Sequence, residues 1–281
     1  MNAFGETGLA ALAALYPETP GTVPHGLAGH DLLTLDALAR LAAELPKDSV
    51  EYNRADLPIG VDPATVAANG LSPEETVRSI EDNGSWMVLK RIEQHPDYAA
   101  LLRETLAEIA PLVEGRTGAM LGLEGFIFVS SPDAVTPFHF DPEHNILLQI
   151  RGRKTMTVFP QDDAAIVDPH AHEAFHLGQH HRNLAWREDF AAKGRAFALE
   201  PGQAIHVPVK APHWVKNGEA VSISLSVTWR SEWSYAEADA RAFNHLLRKR
   251  GLSPSPPRRW PATNGVKSFA YRALRKAGLA G

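Results

Sequence analysis

The run Val221-Ser222-Ile223-Ser224-Leu225-Ser226-Val227-Thr228 alternates apolar and hydroxyl side chains without a break. Successive side chains of a strand point to opposite faces, so the run predicts one strand with an apolar face for packing and a hydroxyl face able to line a polar cavity. Upstream, from Ala119, short β-rich runs recur between Gly, Pro and Asp: Leu121 to Val129, His139 to Ile150, Thr155 to Phe159, Ala196 to Leu199 and Ala204 to Val207. Such a series predicts a barrel or sandwich.

Outside this block the grammar is helical. Leu32 to Leu45 carries apolar residues at helix spacing and stops at Pro46, while Ser72-Pro73-Glu74-Glu75 offers an N-cap, Pro at the first helical position and acids in the first turn. Trp86 to Ile92 reads as a strand and Tyr98 to Val113 as a helix. Between Asp162 and Gly194 lies a long insertion with His170, His172, His176, His180 and His181, expected as loop plus short helix; a second metal site there is conceivable. Tyr235 to Arg250 predicts an amphipathic helix, Ser253 to Pro261 a proline-rich linker and Val266 to Lys276 a last short helix.

The 281 residues, 44% hydrophobic and 22% charged, suffice for one large domain or two small ones. With no cysteine, thiolate catalysis and Cys-based metal sites are excluded, and any metal is held by nitrogen and oxygen. The net charge is −5, unevenly spread: Arg241 to Gly281 holds ten Lys or Arg and no acid, against 18 basic and 33 acidic residues before it. Docking of that tail on the protein's own acidic body is the expected use, with nucleic acid or an acidic membrane as alternatives. The early apolar stretch Leu9 to Tyr16 is far short of the ~20 residues a bilayer needs, and no basic segment precedes it as in a signal peptide, so a cytoplasmic, soluble protein is expected.

The chemistry concentrates in Thr136-Pro137-Phe138-His139-Phe140-Asp141-Pro142-Glu143-His144-Asn145. On a strand, His139 and Asp141 project to one side and can converge on one cation, with Phe140 turned away. A third ligand, His213, follows a Gly202 turn, an apolar strand and a Pro-bounded loop. Two His and one carboxylate leave about three of six octahedral positions open, as non-haem Fe(II) requires to hold a cosubstrate and O₂ together. Without context, H-x-D is a weak signal and His213 reads equally as a loop or core histidine.

From about Gly118 to Arg230 the chain resembles the JmjC and cupin-8 group of Fe(II)/2-oxoglutarate dioxygenases, above all the asparaginyl hydroxylase that inhibits hypoxia-inducible factor. The pattern Thr-Pro-x-His-x-Asp, an Asn four residues on, then Gln-Ile-x-Gly-x-Lys is met by Thr136, Pro137, His139, Asp141, Asn145, Gln149, Ile150, Gly152 and Lys154; the later Gly and Ile-Pro motif with its His is met by Gly202, Pro208 and His213. The resemblance implies a double-stranded β-helix of the cupin or jelly-roll type, mainly β, with iron on His139, Asp141 and His213. It implies that Lys154 and Thr136 hold the distal carboxylate of 2-oxoglutarate, with Asn145 beside it. The family's late Asn is absent, and its place falls near Ser226 and Thr228. Gln203, His206 and Ala211-Pro212 also depart from the family pattern, which bears on the shape of the cosubstrate pocket more than on the iron site.

Arg151 and Arg153 rival Lys154 as the anion anchor, but strand alternation sets them on the opposite side. His206 reads as a half-buried strand histidine or a support for the metal, and His144 as a substrate-side or surface residue. Trp214 and Trp229 read as core.

The expected organisation is residues 1–117 as a mostly helical segment packing on the barrel, 118–230 as the barrel and 231–281 as a basic helical tail, a possible homodimer surface. The activity implied is hydroxylation of a protein side chain or small molecule with O₂, releasing succinate and CO₂. The alternatives are a cupin metalloenzyme that does not use 2-oxoglutarate, and a regulatory or nucleic-acid-associated protein whose barrel is only a scaffold.

Overall fold

The structure is a computed structural model that describes residues 2–55, 59 and 69–279. Two antiparallel sheets form its centre. The larger contains β1 (Gly21–Pro24), β2 (Val50–Arg54), β3 (Ser85–Lys90), β4 (Met120–Ser130), β6 (His144–Arg151), β9 (Gln203–Val207) and β11 (Ser222–Ser231), in the order β1-β9-β6-β11-β4-β3-β2. The smaller contains β5 (Val135–His139), β7 (Lys154–Val158), β8 (Arg195–Leu199) and β10 (His213–Asn217), in the order β5-β10-β7-β8.

The alternation of β11 sorts its side chains as expected. Ile223, Leu225, Val227 and Trp229 join a core formed against α1 (Gly5–Leu15), α2 (Leu35–Glu44) and α4 (Pro96–Thr117), where Leu12, Leu38, Leu102 and Ile109 are buried. The hydroxyls of Ser222, Ser224, Ser226 and Thr228 are buried on the other face. That face meets the smaller sheet through Leu147, Ile205 and Val207 of the one and Met156, Val158, Phe197 and Val215 of the other. Because β6 is covered on both sides, all its residues but Arg151 are buried.

Helix starts follow local chemistry. Ser72 and Glu75 form a reciprocal capping box at the head of α3 (Pro73–Arg78), with Pro73 at its first turn. The long insertion holds α5 (Pro169–Phe175), and the chain ends in α6 (Glu232–Arg248) and α7 (Gly265–Lys276). The proline-rich stretch before α7 is tied down: Trp260 donates its indole N–H to the Arg116 carbonyl at 3.0 Å, and Arg259 pairs with Glu18 and Asp162. Arg248 pairs with Glu173 and Arg272 with Asp239, so much of the basic tail meets the chain's own acids.

Two expectations are corrected. The run His139 to Ile150 is not one strand: β5 ends at His139, β6 begins at His144, and Phe140 to Glu143 form a turn. Pro142 lacks the N–H a ladder needs, which accounts for the break. The first third also supplies strands at both edges of the larger sheet, since β1 pairs with β9 and β2 with β3.

Candidate active site

Three side chains from two strand ends and one turn converge. His139 closes β5, Asp141 sits in the following turn, and His213 opens β10 directly opposite His139. Asp141 Oδ2 lies 3.8 Å from His139 Nε2 and 3.7 Å from His213 Nε2, and the imidazole centroids are 4.2 Å apart. Donor atoms around one ion with bonds of roughly 2.1 Å lie roughly 3 to 4 Å from one another, so these fit a single cation. Among the described residues this is the one group of three or more His, Asp or Glu close enough to hold a metal, and the histidines of the insertion form no second site.

The tautomers fit the same use. His139 Nδ1 lies 2.7 Å from the Pro137 carbonyl and His213 Nδ1 2.9 Å from the Ala211 carbonyl. A carbonyl only accepts, so each Nδ1 carries the hydrogen and each Nε2 presents its lone pair to the cluster. Burial, with the neighbouring His213, pulls the His139 imidazole down to about 4, which keeps it neutral. Burial opposes ionisation of Asp141, but His139, His213 and Arg182 together hold its carboxyl below the usual range. Arg182 donates to Asp141 Oδ1 at 2.9 Å, and that leaves Oδ2 to face the imidazoles. Its backbone is fixed by the Phe140 N–H, which donates to the Arg182 carbonyl. No sequence signal pointed to Arg182, which comes from the long insertion.

The register then tells which other residues lie on the same face as the triad. Strand positions directly opposite each other in a ladder share a face, so Val158, Met156 and Lys154 of β7 lie on the side of His213, Val215 and Asn217. Thr136 pairs with Val215, because Pro137 and Phe138 together oppose Trp214 in a bulge that returns Thr136 to the His139 side. Lys154 thus lies four residues along β7 from the position opposite His213, about 13 Å by strand rise. Its side chain is buried and has no carboxylate partner among the described residues. Burial alone pulls its ammonium down to about 7. Arg151 and Arg153 are exposed, and Arg153 pairs with Glu200.

On the larger sheet, Ser226 Oγ donates to Asn145 Oδ1 at 2.7 Å and Thr228 Oγ1 to the Glu124 carbonyl at 3.0 Å, with Ser226, Asn145 and Thr228 all buried. Gln149 is fully engaged with Ser222, Ser224 and the carbonyls of Arg151 and Gly152. His206 is buried on the other face with Nδ1 on the Thr19 carbonyl, away from His139, Asp141 and His213. His144 is neither surface nor substrate-side: it is buried, bonded through Nε2 to Ser231 Oγ and stacked on Trp229. As the first residue of β6 it faces the helical layer, opposite in sense to Asn145.

Residues 75–235 match the family described as Cupin-like domain. A Drosophila melanogaster protein, Jumonji C domain-containing protein 5, is 30% identical over 104 residues, 34% of this chain and 25% of that protein. The Danio rerio HSPB1-associated protein 1 homolog is 32% identical over 115 residues, 37% of this chain and 25% of that protein. The chain thus spans about a quarter of the length of the curated relatives it matches. The X-ray structure of E. coli ycfD superposes with a TM-score of 0.50 at 17% identity, over 96% of this chain and 67% of that one, a likeness of fold.

Proposed function

The chain belongs to the cupin-like domain family, and on that premise we propose that it is an Fe(II)- and 2-oxoglutarate-dependent dioxygenase that hydroxylates a protein side chain or a small molecule. The observation that carries the reading is the convergence of His139 Nε2, His213 Nε2 and Asp141 Oδ2, with both Nδ1 hydrogens spent on backbone carbonyls. Such a donor set suits a divalent first-row metal and leaves part of its coordination sphere open. Bound there with 2-oxoglutarate and O₂, iron supplies the oxidising power to hydroxylate a C–H bond, with release of succinate and CO₂.

The chain's own residues bind, orient and exclude water. His139, Asp141 and His213 hold the metal. Lys154 pairs with the far carboxylate of the cosubstrate, which explains a buried lysine without an acid beside it among the described residues: a dicarboxylate buried between two sheets needs its distal charge matched. The span along β7 between Lys154 and the His213 level is one that a lysine side chain and a five-carbon diacid fill together. Thr136 donates to the same carboxylate, and Asn145, Ser226 and Thr228 form the polar wall opposite. Leu147, Met156, Val158 and Val215 keep the space between dry.

Residues 1–117, 118–230 and 231–281 act, on this reading, as supporting segment, catalytic barrel and tail. The tail is the homodimer surface, supported by α7, whose Val266 and Phe269 stand in solvent. A cytoplasmic location and a partner other than nucleic acid belong to the same proposal. Among the described residues no helix is long and apolar enough to cross a membrane.

Anaerobic Fe(II) with 2-oxoglutarate should give a metal-to-ligand absorption band that His139→Ala and Asp141→Ala each abolish, and aerobic turnover should release succinate. A band that survives both substitutions, or no 2-oxoglutarate consumption with any peptide or metabolite pool, would reject the assignment.

A further inference from the structure

Two of the three candidate ligands are aimed from one turn. Between β9 and β10 the chain reverses at residues 208–211, closed by the Ala211 N–H on the Pro208 carbonyl at 3.0 Å. From this turn the Lys210 N–H donates to the Asp141 carbonyl at 2.8 Å, and the Ala211 carbonyl accepts from His213 Nδ1 at 2.9 Å. Neighbouring residues of the turn therefore orient both Asp141 and His213.

The third position of that turn has a φ of 63°, a conformation that suits glycine or asparagine and strains any side chain with a Cβ. The residue there is Lys210. Among the described residues three non-glycines adopt positive φ, Arg91, Asp133 and Lys210, and of these Lys210 alone is buried, at 2% exposed. Burying a lysine at a position made for glycine is unfavourable on both counts, so a compensating contact has to hold it. Its side chain makes that contact. Nζ pairs with Glu237 of α6, and the same carboxylate is held from the other side by Arg241 Nε. Burial pulls the Lys210 ammonium well below its ordinary value. The two groups nevertheless share one proton out of reach of water, so the link stands whether the pair is ionic or neutral.

We propose that Lys210 is a positioning residue for the metal centre: its side chain, staked to Glu237, holds the turn in the left-handed conformation that aims its own N–H at Asp141 and the Ala211 carbonyl at His213. The proposal rests on the reading of His139, Asp141 and His213 as metal ligands. It makes the ligand geometry depend on α6, a helix that contributes no ligand.

The test is Co(II) binding by the full-length protein, followed by visible absorption, with the melting temperature of each variant measured beside it. Wild-type protein that binds no Co(II) would reject the ligand assignment and this proposal with it; binding by the wild type isolates the proposal in the variants. Lys210→Ala and Lys210→Met lose the link at a residue that resists positive φ, and each should weaken Co(II) about tenfold. Lys210→Gly and Lys210→Asn lose the same link but accept the conformation, and each should stay within about threefold of the wild type. Ala with Gly, and Met with Asn, form two separate comparisons, so one variant that fails to fold leaves the other pair to decide. Glu237→Leu should weaken Co(II) as Lys210→Met does, yet add nothing in the Lys210→Gly background. Equal affinity in all the Lys210 variants, affinity that follows melting temperature in place of tolerance for positive φ, or no effect of Glu237→Leu would overturn the proposal.

Discussion

Replacing Lys154 by Met should make the ligand-free protein more stable while destroying its use for the cosubstrate. The ammonium is buried with no carboxylate beside it among the described residues, and its pKa falls from 10.5 to about 7. At about 1.4 kcal/mol per pH unit, holding this lysine in the fold at neutral pH costs about 4 kcal/mol relative to an exposed one. Methionine has nearly the same length and fills the same space without charge, so relaxation aside, a gain of about 1 to 4 kcal/mol is expected. For a chain of this size that is a rise of several degrees in melting temperature. The sign with pH is equally definite. Between about pH 7 and 10.5 the unfolded chain keeps the Lys154 proton and the folded chain gives it up, so wild-type stability from this group rises with pH across that window and is flat below it. The Met variant lacks that rise. A cosubstrate carboxylate restores the charge, so 2-oxoglutarate binding at pH 8 should take up about one proton, read by calorimetry in buffers of different ionisation enthalpy. The variant should bind 2-oxoglutarate at least about tenfold more weakly with Co(II) affinity unchanged. A variant that melts below the wild type at pH 7 and keeps its pH slope would refute the reasoning, because Lys154 would then be a structural lysine with a partner.

Arg182→Ala frees Asp141 Oδ1 and should weaken Co(II) binding by about tenfold or more, followed by visible absorption, with little change in melting because the arginine side chain is half exposed; an unchanged affinity would separate Arg182 from the metal centre. Gly152→Ala places a Cβ 2.3 Å from the Val221 carbonyl at a φ of +70°, a clash with backbone that cannot yield, and chemical denaturation should report a loss above about 2 kcal/mol. Ser226→Ala removes the buried donor to Asn145 Oδ1 and should cost about 1 to 3 kcal/mol in stability and raise KM for 2-oxoglutarate, measured by denaturation and succinate release.

How much was legible depends on how local each cause is. The strand β11 and the start of α3 are legible because alternation and a capping box are properties of eight or four consecutive residues. The strands β1 and β2 are not, since four or five residues such as Gly21-Thr22-Val23-Pro24 carry no pattern of their own and are strands only because β9 and β3 offer them ladders. Lys154 was separable from Arg151 and Arg153 by counting in twos, and burial falls on that residue alone. Arg182 and Lys210 act on Asp141 from 41 and 69 positions away, where no periodicity reaches.

Asp141 is the instructive case, because the alternation that singles it out in the sequence is not what aims it in the fold. Strand alternation would aim His139 and Asp141 the same way, but the strand stops at His139. What aims the carboxylate is a turn held on both flanks: the Phe140 N–H on the Arg182 carbonyl, the Asp141 carbonyl on the Lys210 N–H, and Oδ1 on Arg182. A strand would fix the ligand by its ladder; a clamped turn fixes it by contacts from the insertion and from the loop before His213. Changes in either segment should therefore reach the metal without touching a ligand. Arg182→Ala is the sharper probe, since it alters one clamp and leaves the main chain of the turn in place.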